Sequence, residues 1–441
     1  MQQGKFTRGR IRQHLLTMTM SSSIGLVAMF FVDLVDMYFI SLLGESELAA
    51  AVGYAGTVLF FTLSFSIGLS IASGAMCSRA LGGESEGVAK RIITHTWMFP
   101  TLIMVPVALV IWATSHGLLQ MLGAEGQTLF YAQQYLDIIL PSTPLVTIAM
   151  VGATVLRSEG EAQKAMWVTL TGGIFNAIFD PIFIFALDLR IEGAAIASVL
   201  SRFCMVIYVV YQLVLQKKVL VPINLLKLGQ DLRDYLRIAF PAVLTNLSTP
   251  IGVAYVTRAI ADFGDSAVAG NAIVSKLQPV AFAAIFALSG SVGPIIGQNY
   301  GAKNFARVRE TLRESMRFVL LYCLLLCAIL WLVRDFLIWA FQAENEAKVV
   351  IQLYCNGLST MFVFNGIIFY TNAAFNNLGF AHFSTLINFF KATAGTIPFV
   401  FYGALWGGLE GLWYGMYLGL MLTAILSWGL CRYSLRQREE A

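Results

Sequence analysis

An all-α integral membrane protein is the fold class the sequence predicts: twelve transmembrane helices in two six-helix lobes, related by a pseudo-twofold axis along the membrane normal. Three observations lead there. Of 441 residues 58% are hydrophobic and 12% charged, roughly half the charged share of a soluble domain, and mean hydropathy is +0.73. Apolar runs of 18 or more residues recur from end to end, so the bilayer is the solvent and no polar stretch is long enough for a separate soluble domain. The two halves also resemble each other.

Apolar runs set against charged and Gly-rich breaks place spans at 14–43, 48–76, 92–114, 127–156, 163–187, 192–215, 235–262, 267–298, 315–338, 347–376, 382–404 and 410–431. Several exceed the ~20 residues a bilayer needs, which predicts tilt or bending. The basic N-terminus, MQQGKFTRGRIRQHLL, runs into the first span without a small-residue cleavage site and reads as retained. Lys and Arg gather in alternate loops: 79–91, 157–164, 217–237, 303–317 and both termini. That asymmetry predicts both termini and the middle loop on the cytoplasmic side of the inner (plasma) membrane.

The repeat is legible in three places. YFISLLGESELAAAVG (38–53) answers RAIADFGDSAVAGNAI (258–273), RALGGESEGVAKR (79–91) answers NYGAKNFARVRE (299–310), and IEGAA (191–195) answers LEGLW (409–413). Six spans per half is an even number, so both copies enter the membrane the same way, which predicts parallel lobes. The expected division is an N-terminal lobe over 1–215, a cytoplasmic linker over 216–234 and a C-terminal lobe over 235–441.

Charged residues inside spans are costly and functional by default. Asp33, Asp36, Asp137 and Asp180 lie within spans, and Asn176 is one turn before Asp180 on the same face. Asp36 and Asp180 each sit about 10 Å below the outer boundary at 1.5 Å per residue. Ser198 and Arg202 of span six reach similar depth. These groups belong to the first half and are expected to converge in one pocket. Two carboxylates in a low-dielectric cavity repel, so one takes up a proton near neutral pH, or both share a Na⁺ with Asn176 and Ser198 oxygens. The bland alternative is a structural ion pair of Asp137 with Arg202. In the second half, Val253 and Val256 stand where the first has Asp33 and Asp36, so packing common to both lobes does not account for the acids. That half carries Lys276 and Lys391 opposite glycines of the first, with Asn372 among added amides. These are candidate residues of a substrate cavity.

Other functions have less support. The six cysteines are scattered, and Cys323 and Cys327 share a helical face without a His or carboxylate beside them, so packing is favoured over a metal site. His14, His95, His116 and His382 have no companion in sequence that would make a triad or ligand set, which argues against an enzyme. A re-entrant filter is missing, which argues against a channel.

Twelve spans in two parallel repeats, VDMYFISLLGESELAAAVG (35–53) and the Asn176-x-x-x-Asp180-Pro181 arrangement resemble the multidrug and toxic compound extrusion family, and the last motif its DinF-like branch. The resemblance covers the whole chain. It implies a secondary antiporter that exports amphipathic compounds against inward H⁺ or Na⁺, with Asp36, Asn176 and Asp180 as cation site and Ser198 at a position where the family often has a hydroxyl. No cofactor beyond the coupling ion, no nucleic acid and a monomer in the lipid bilayer are expected. Spans seven and ten lack the acids of the NorM-like branch. Span one lacks the proline at which some members bend, so any bend is expected at SSSIG (21–25). Lys276 and Lys391 fit a purely cationic cargo poorly and would suit the alternative, a flippase or exporter of an anionic lipid-linked precursor.

Overall fold

The computed structural model describes residues 4–41 and 46–440, apart from the side chains at 32–38, 40, 41, 46, 47, 49 and 265. Among the described residues every regular element is a helix. In order these are α1 (Ile11–Ser41), α2 (Ser46–Gly83), α3 (Glu86–Met121), α4 (Gly126–Ile139), α5 (Thr143–Ser158), α6 (Ala162–Pro181), α7 (Arg190–Val210) and α8 (Leu225–Leu247). Then follow α9 (Thr249–Ala261), α10 (Asp265–Ala281), α11 (Ala283–Gly301), α12 (Phe305–Ala340), α13 (Asn345–Cys355), α14 (Met361–Leu378), α15 (Ala381–Ala392) and α16 (Ile397–Glu440). Helices suit an apolar chain in lipid because each backbone polar group is satisfied inside its own segment.

Ten described stretches are long and apolar enough to cross a bilayer, and α10 with α11, bent by 47°, make an eleventh. The last stretch, Ala381–Glu440, has 60 residues. As one helix it would rise roughly 90 Å, three times the hydrocarbon thickness. It breaks instead at Gly407 and Gly408, the latter at φ 58° and ψ −142°, a backbone that glycine adopts without steric cost. Twelve spans result. Several helices run past the expected limits. The basic turn before residue 315 is already helical, because α12 starts at Phe305 under an Asn304 cap whose side chain accepts the Arg307 N–H.

Breaks recur between the halves. A 3₁₀ turn at Leu140–Ser142, around Pro141, joins α4 to α5. A second, Leu358–Thr360 after Gly357, joins α13 to α14. Proline supplies no N–H, so a carbonyl one turn earlier loses its helical donor and the helix is interrupted.

The chain forms two compact bodies, one of Met1–Lys5 with Ile24–Val243, the other of Phe6–Ser23 with Leu244–Ala441. Their limits depart from the expected lobes in two segments. Residues 6–23 pack in the second body, and the linker with 235–243 packs in the first. Hydrogen bonds account for both. In the second body Gln298 Oε1 accepts the Phe6 N–H at 2.7 Å, and Asn299 and Arg307 donate to the Phe6 carbonyl at 3.1 and 2.9 Å. In the first body the Thr94 hydroxyl accepts the Val221 N–H at 3.0 Å, and Tyr235 Oη donates to the Leu69 carbonyl at 2.8 Å. The SSSIG segment, where a bend was expected, is unbroken helix: Ser23 Oγ donates back to the Met20 carbonyl at 2.9 Å. The boundary between the bodies still falls there, between Ser23 and Ile24.

Candidate cation-coupling site

Helices α6 and α7 of the first body form a tight hairpin, and glycines set its spacing. A Cβ on Gly172 would lie 2.5 Å from Met205 Sδ, and one on Gly193 would lie 2.6 Å from the Phe183 carbonyl oxygen. Between these contacts Asn176 faces Ser201. Pro181 ends α6, and the next turn is a π-helix, Ile182–Ala186, closed by the Leu187 N–H on the Ile182 carbonyl at 2.9 Å. An irregular turn of this kind often marks a functional position in a membrane helix.

Just before that turn, Asp180 is 1% and Asn176 6% exposed. Asn176 Nδ2 donates to Asp180 Oδ2 at 2.8 Å. This orients the amide so that Oδ1 points away from the carboxylate, where the Ser201 hydroxyl lies 3.1 Å off. Ser201 Oγ is also 2.8 Å from the Ser198 carbonyl. The result is a directed chain, hydroxyl to amide to carboxylate, in a site almost closed to solvent. A carboxylate so placed can take a proton, or can join the amide and hydroxyl oxygens around a small hard cation.

The hydroxyl of this chain comes from Ser201, not from Ser198, which contributes its carbonyl. Depth alone does not separate them. The hairpin register defined by Gly172 and Gly193 does, because close pairs step by four residues along each helix. Asp33 and Asp36 fall outside the described side chains. The α1 backbone there is helical, and Phe39 meets Phe185 edge-on with centroids 6.0 Å apart, so span one runs beside span five near this level.

Asp137 and Arg202 go elsewhere, and the ion pair considered between them is not formed. Asp137 is exposed and accepts from Trp112 Nε1 at 3.0 Å and Gln133 Nε2 at 2.7 Å. Arg202 donates to the Ile139 carbonyl at 3.0 Å and to Ser142 Oγ at 2.6 Å. The break at Pro141 frees backbone acceptors, and a donor-only guanidinium satisfies them better than an exposed carboxylate would satisfy it.

In the second body Lys391 Nζ donates to Asn365 Oδ1 at 2.8 Å and lies 5.9 Å from the Phe369 ring centroid. Asn365, Phe369 and Asn372 recur along one face of α14. Among the described residues Asn372 Oδ1 is buried without a hydrogen-bond partner, and no carboxylate pairs with Lys391 or Lys276. Lys276 itself is exposed on α10.

One buried cluster has no signal in the sequence. His95 Nδ1 lies 2.7 Å from Asp231 Oδ2, Arg91 Nε donates to the same oxygen at 3.1 Å, and the Asn224 N–H donates to His95 Nε2 at 3.2 Å. Because Nε2 accepts, it is Nδ1 that donates to Asp231. His95 thus has an acidic partner 136 residues away, and what it holds is the linker. On the adjoining loop Lys217 bridges Glu159 at 3.5 Å and Glu161 at 2.6 Å. Burial pushes the Glu159 carboxyl up against the pull of Lys217. Burial acts on Glu161 too, but the Lys217 hydrogen bond and charge outweigh it and hold that carboxyl below its ordinary value.

The MatE family model matches the chain twice, over residues 22–182 and 241–401, so each half carries one copy. The FAD transporter of Shewanella oneidensis is 27% identical over 96% of this chain and 94% of its own length. Multidrug export protein MepA of Staphylococcus aureus is 22% identical over 98% of this chain and 96% of its own. A crystal structure of a mutant of the Vibrio cholerae MATE transporter VcmN, 27% identical, covers 97% of both chains with a TM-score of 0.90. Members of this family are transporters, not enzymes, and with both halves matched the chain belongs to the MatE family of multidrug and toxic compound extrusion transporters.

Proposed function

We propose that this chain is a secondary antiporter of the plasma membrane that exports amphipathic small compounds against inward H⁺, with Na⁺ as the alternative coupling ion. Both termini are cytoplasmic in this reading, which also takes the chain as DinF-like on the resemblance of its Asn176-x-x-x-Asp180-Pro181 arrangement to that branch. The observation that carries the proposal is the buried chain from Ser201 through Asn176 to Asp180, present among the described residues in the first repeat only. Asp36, whose side chain lies outside the described ones, is the second carboxylate that this reading assigns to the site.

The chemistry follows from hydrogen-bond polarity. The ionised Asp180 carboxylate accepts from Asn176. A proton on Asp180 turns it into a donor, and an amide flip then presents Asn176 Oδ1 to the acid and Nδ2 to the Ser201 oxygen. Each group keeps a partner, and the charge of Asp180, a side chain only 1% exposed, is removed. Closing such a site against water is cheaper when this buried carboxyl is neutral. The ion therefore favours one access state, and it drives the exchange only by its differential affinity for the two. Na⁺ would use the same carboxylate, amide and hydroxyl oxygens. The test is transport by the purified protein in proteoliposomes, with H⁺ and Na⁺ gradients imposed separately. The pH gradient is expected to drive accumulation, and transport that ignores both gradients refutes the antiport.

A second cargo class is favoured by Lys391. A half-buried ammonium held by an amide beside an aromatic ring suits an aromatic anion, and the Shewanella relative is named for FAD, an aromatic anion of this kind. A lipid-linked anionic precursor would meet the same group. Competition between cationic and anionic aromatic compounds in the proteoliposome assay separates the two classes.

A further inference from the structure

We infer that the second body carries a binding groove for a diacyl phospholipid with an anionic headgroup, on the surface formed by the start of α1 and the first half of α12. The groove encloses about 640 Å³ and has two chemically distinct ends. Arg12, Glu314 and Arg317 line one, and Leu16, Leu320, Leu321 and Leu325 are among the residues lining the other. Arg317 also donates to Glu314 at 2.5 Å, so the charged end holds two guanidinium groups against one carboxylate. The leucines are exposed, Leu321 at 67% and Leu325 at 61%.

The length of α12 fixes where these ends lie in the bilayer. Trp339 near its other end is 74% exposed, as suits an interfacial tryptophan of an aromatic belt. From Arg317 to Trp339 the helix rises roughly 33 Å at 1.5 Å per residue, close to the ~30 Å of a hydrocarbon core. Arg317 therefore sits at headgroup depth. From Arg317 to Leu325 the helix rises roughly 12 Å, the depth reached by the upper part of an acyl chain. A phosphodiester between Arg12 and Arg317 with a chain along the leucines satisfies both ends, and net positive charge at the head selects an anionic lipid.

The test is native mass spectrometry of the full chain released from mixed phosphatidylglycerol and phosphatidylethanolamine nanodiscs, with thermal unfolding confirming that each variant is folded. Wild type is expected to retain phosphatidylglycerol several-fold over phosphatidylethanolamine. Arg12→Gln with Arg317→Gln should abolish that preference, and Leu321→Ser with Leu325→Ser should weaken retention of both lipids. Arg309→Gln, which removes a charge paired with Glu439 outside the groove, should change neither. Equal retention of the two lipids by wild type, an unchanged preference in the double arginine variant, or an equal loss in Arg309→Gln would overturn the assignment.

Discussion

Spans five and six and spans eleven and twelve are one hairpin built twice, and the two copies solve opposite problems at the same positions. In the second copy the close pairs are Gly395 with Gly419, Phe399 with Gly415 and Gly403 with Gly411. In the first, Asn176 meets Ser201 and Gly193 crosses the turn at Phe183 and Ile184. At the same register, Asn176 and Ser201 stand where the second copy has Gly395 and Gly419, and Asp180 stands where it has Phe399. One copy uses small residues to bring two backbones together, the usual means of helix association in lipid. The other gives up that contact for three polar side chains that satisfy one another. The glycines common to both copies, Gly193 and Gly411, belong to the scaffold, and the residues that differ belong to the chemistry.

The largest effect is expected at the tightest contact of the second copy. A Cβ on Gly419 would lie 1.8 Å from the Gly395 carbonyl oxygen, which is backbone and cannot turn away. Gly419→Ala is expected to destabilise the second body by about 3 kcal/mol, read as a lowered unfolding midpoint in detergent. Ser201→Ala at the equivalent position should cost about 1 kcal/mol, one hydrogen bond. Equal costs would mean that the two copies do not differ in this way.

The segments leading into spans one and seven offer a second comparison, because Arg307 holds one and His95 the other. His95→Ala removes the acceptor of the Asn224 N–H and a donor to Asp231, and should cost about 2 kcal/mol. Hydrogen exchange should show the loosening over 221–235 and leave 6–9 protected.

Next in size is the effect at Lys391 of the second copy. Lys391→Met should weaken competition by an aromatic anion about tenfold, near 1.4 kcal/mol, and leave the response to the pH gradient intact. Loss of the gradient response instead would place coupling in the wrong copy.

The smallest effect is at the loop of the first copy. Lys217 is held protonated more strongly than an ordinary lysine: burial opposes its charge, but the hydrogen bond and charge of Glu161, with Glu159, outweigh that. A raised lysine value stabilises fully below the unfolded value near 10.5 and the gain is lost as pH rises through the folded value. The lowered Glu161 value stabilises above the unfolded value near 4.5 and the gain is lost as pH falls through the folded one. Lys217→Met should thus cost less than about 1 kcal/mol, with solvent screening, and only between those two ranges. Unfolding midpoints of both proteins across pH should converge at the alkaline end.

Much of this organisation was legible in the residues. Apolar run length encodes spans, and Gly407–Gly408 ends one of them visibly. Asn176 and Asp180 were readable as a pair because four residues is one helical turn. Ser201 was not, since its role depends on the register between two helices and not on depth in one. The partner of Arg202 was missed because a broken helix exposes carbonyls that a list of charged side chains omits. His95 and Asp231 meet only through tertiary packing, and hydropathy places a segment in the bilayer without naming its neighbours. Residues 6–23 pack with the second half for that reason.

The central claim is that Asp180 couples ion movement to transport while the second copy of the hairpin serves packing and cargo. It is tested most directly by comparing two rates in proteoliposomes for wild type and Asp180→Asn: exchange of labelled substrate at equilibrium, and accumulation driven by a pH gradient. The account predicts that Asp180→Asn keeps exchange and loses gradient-driven accumulation. Accumulation at the wild-type rate in that variant would contradict it.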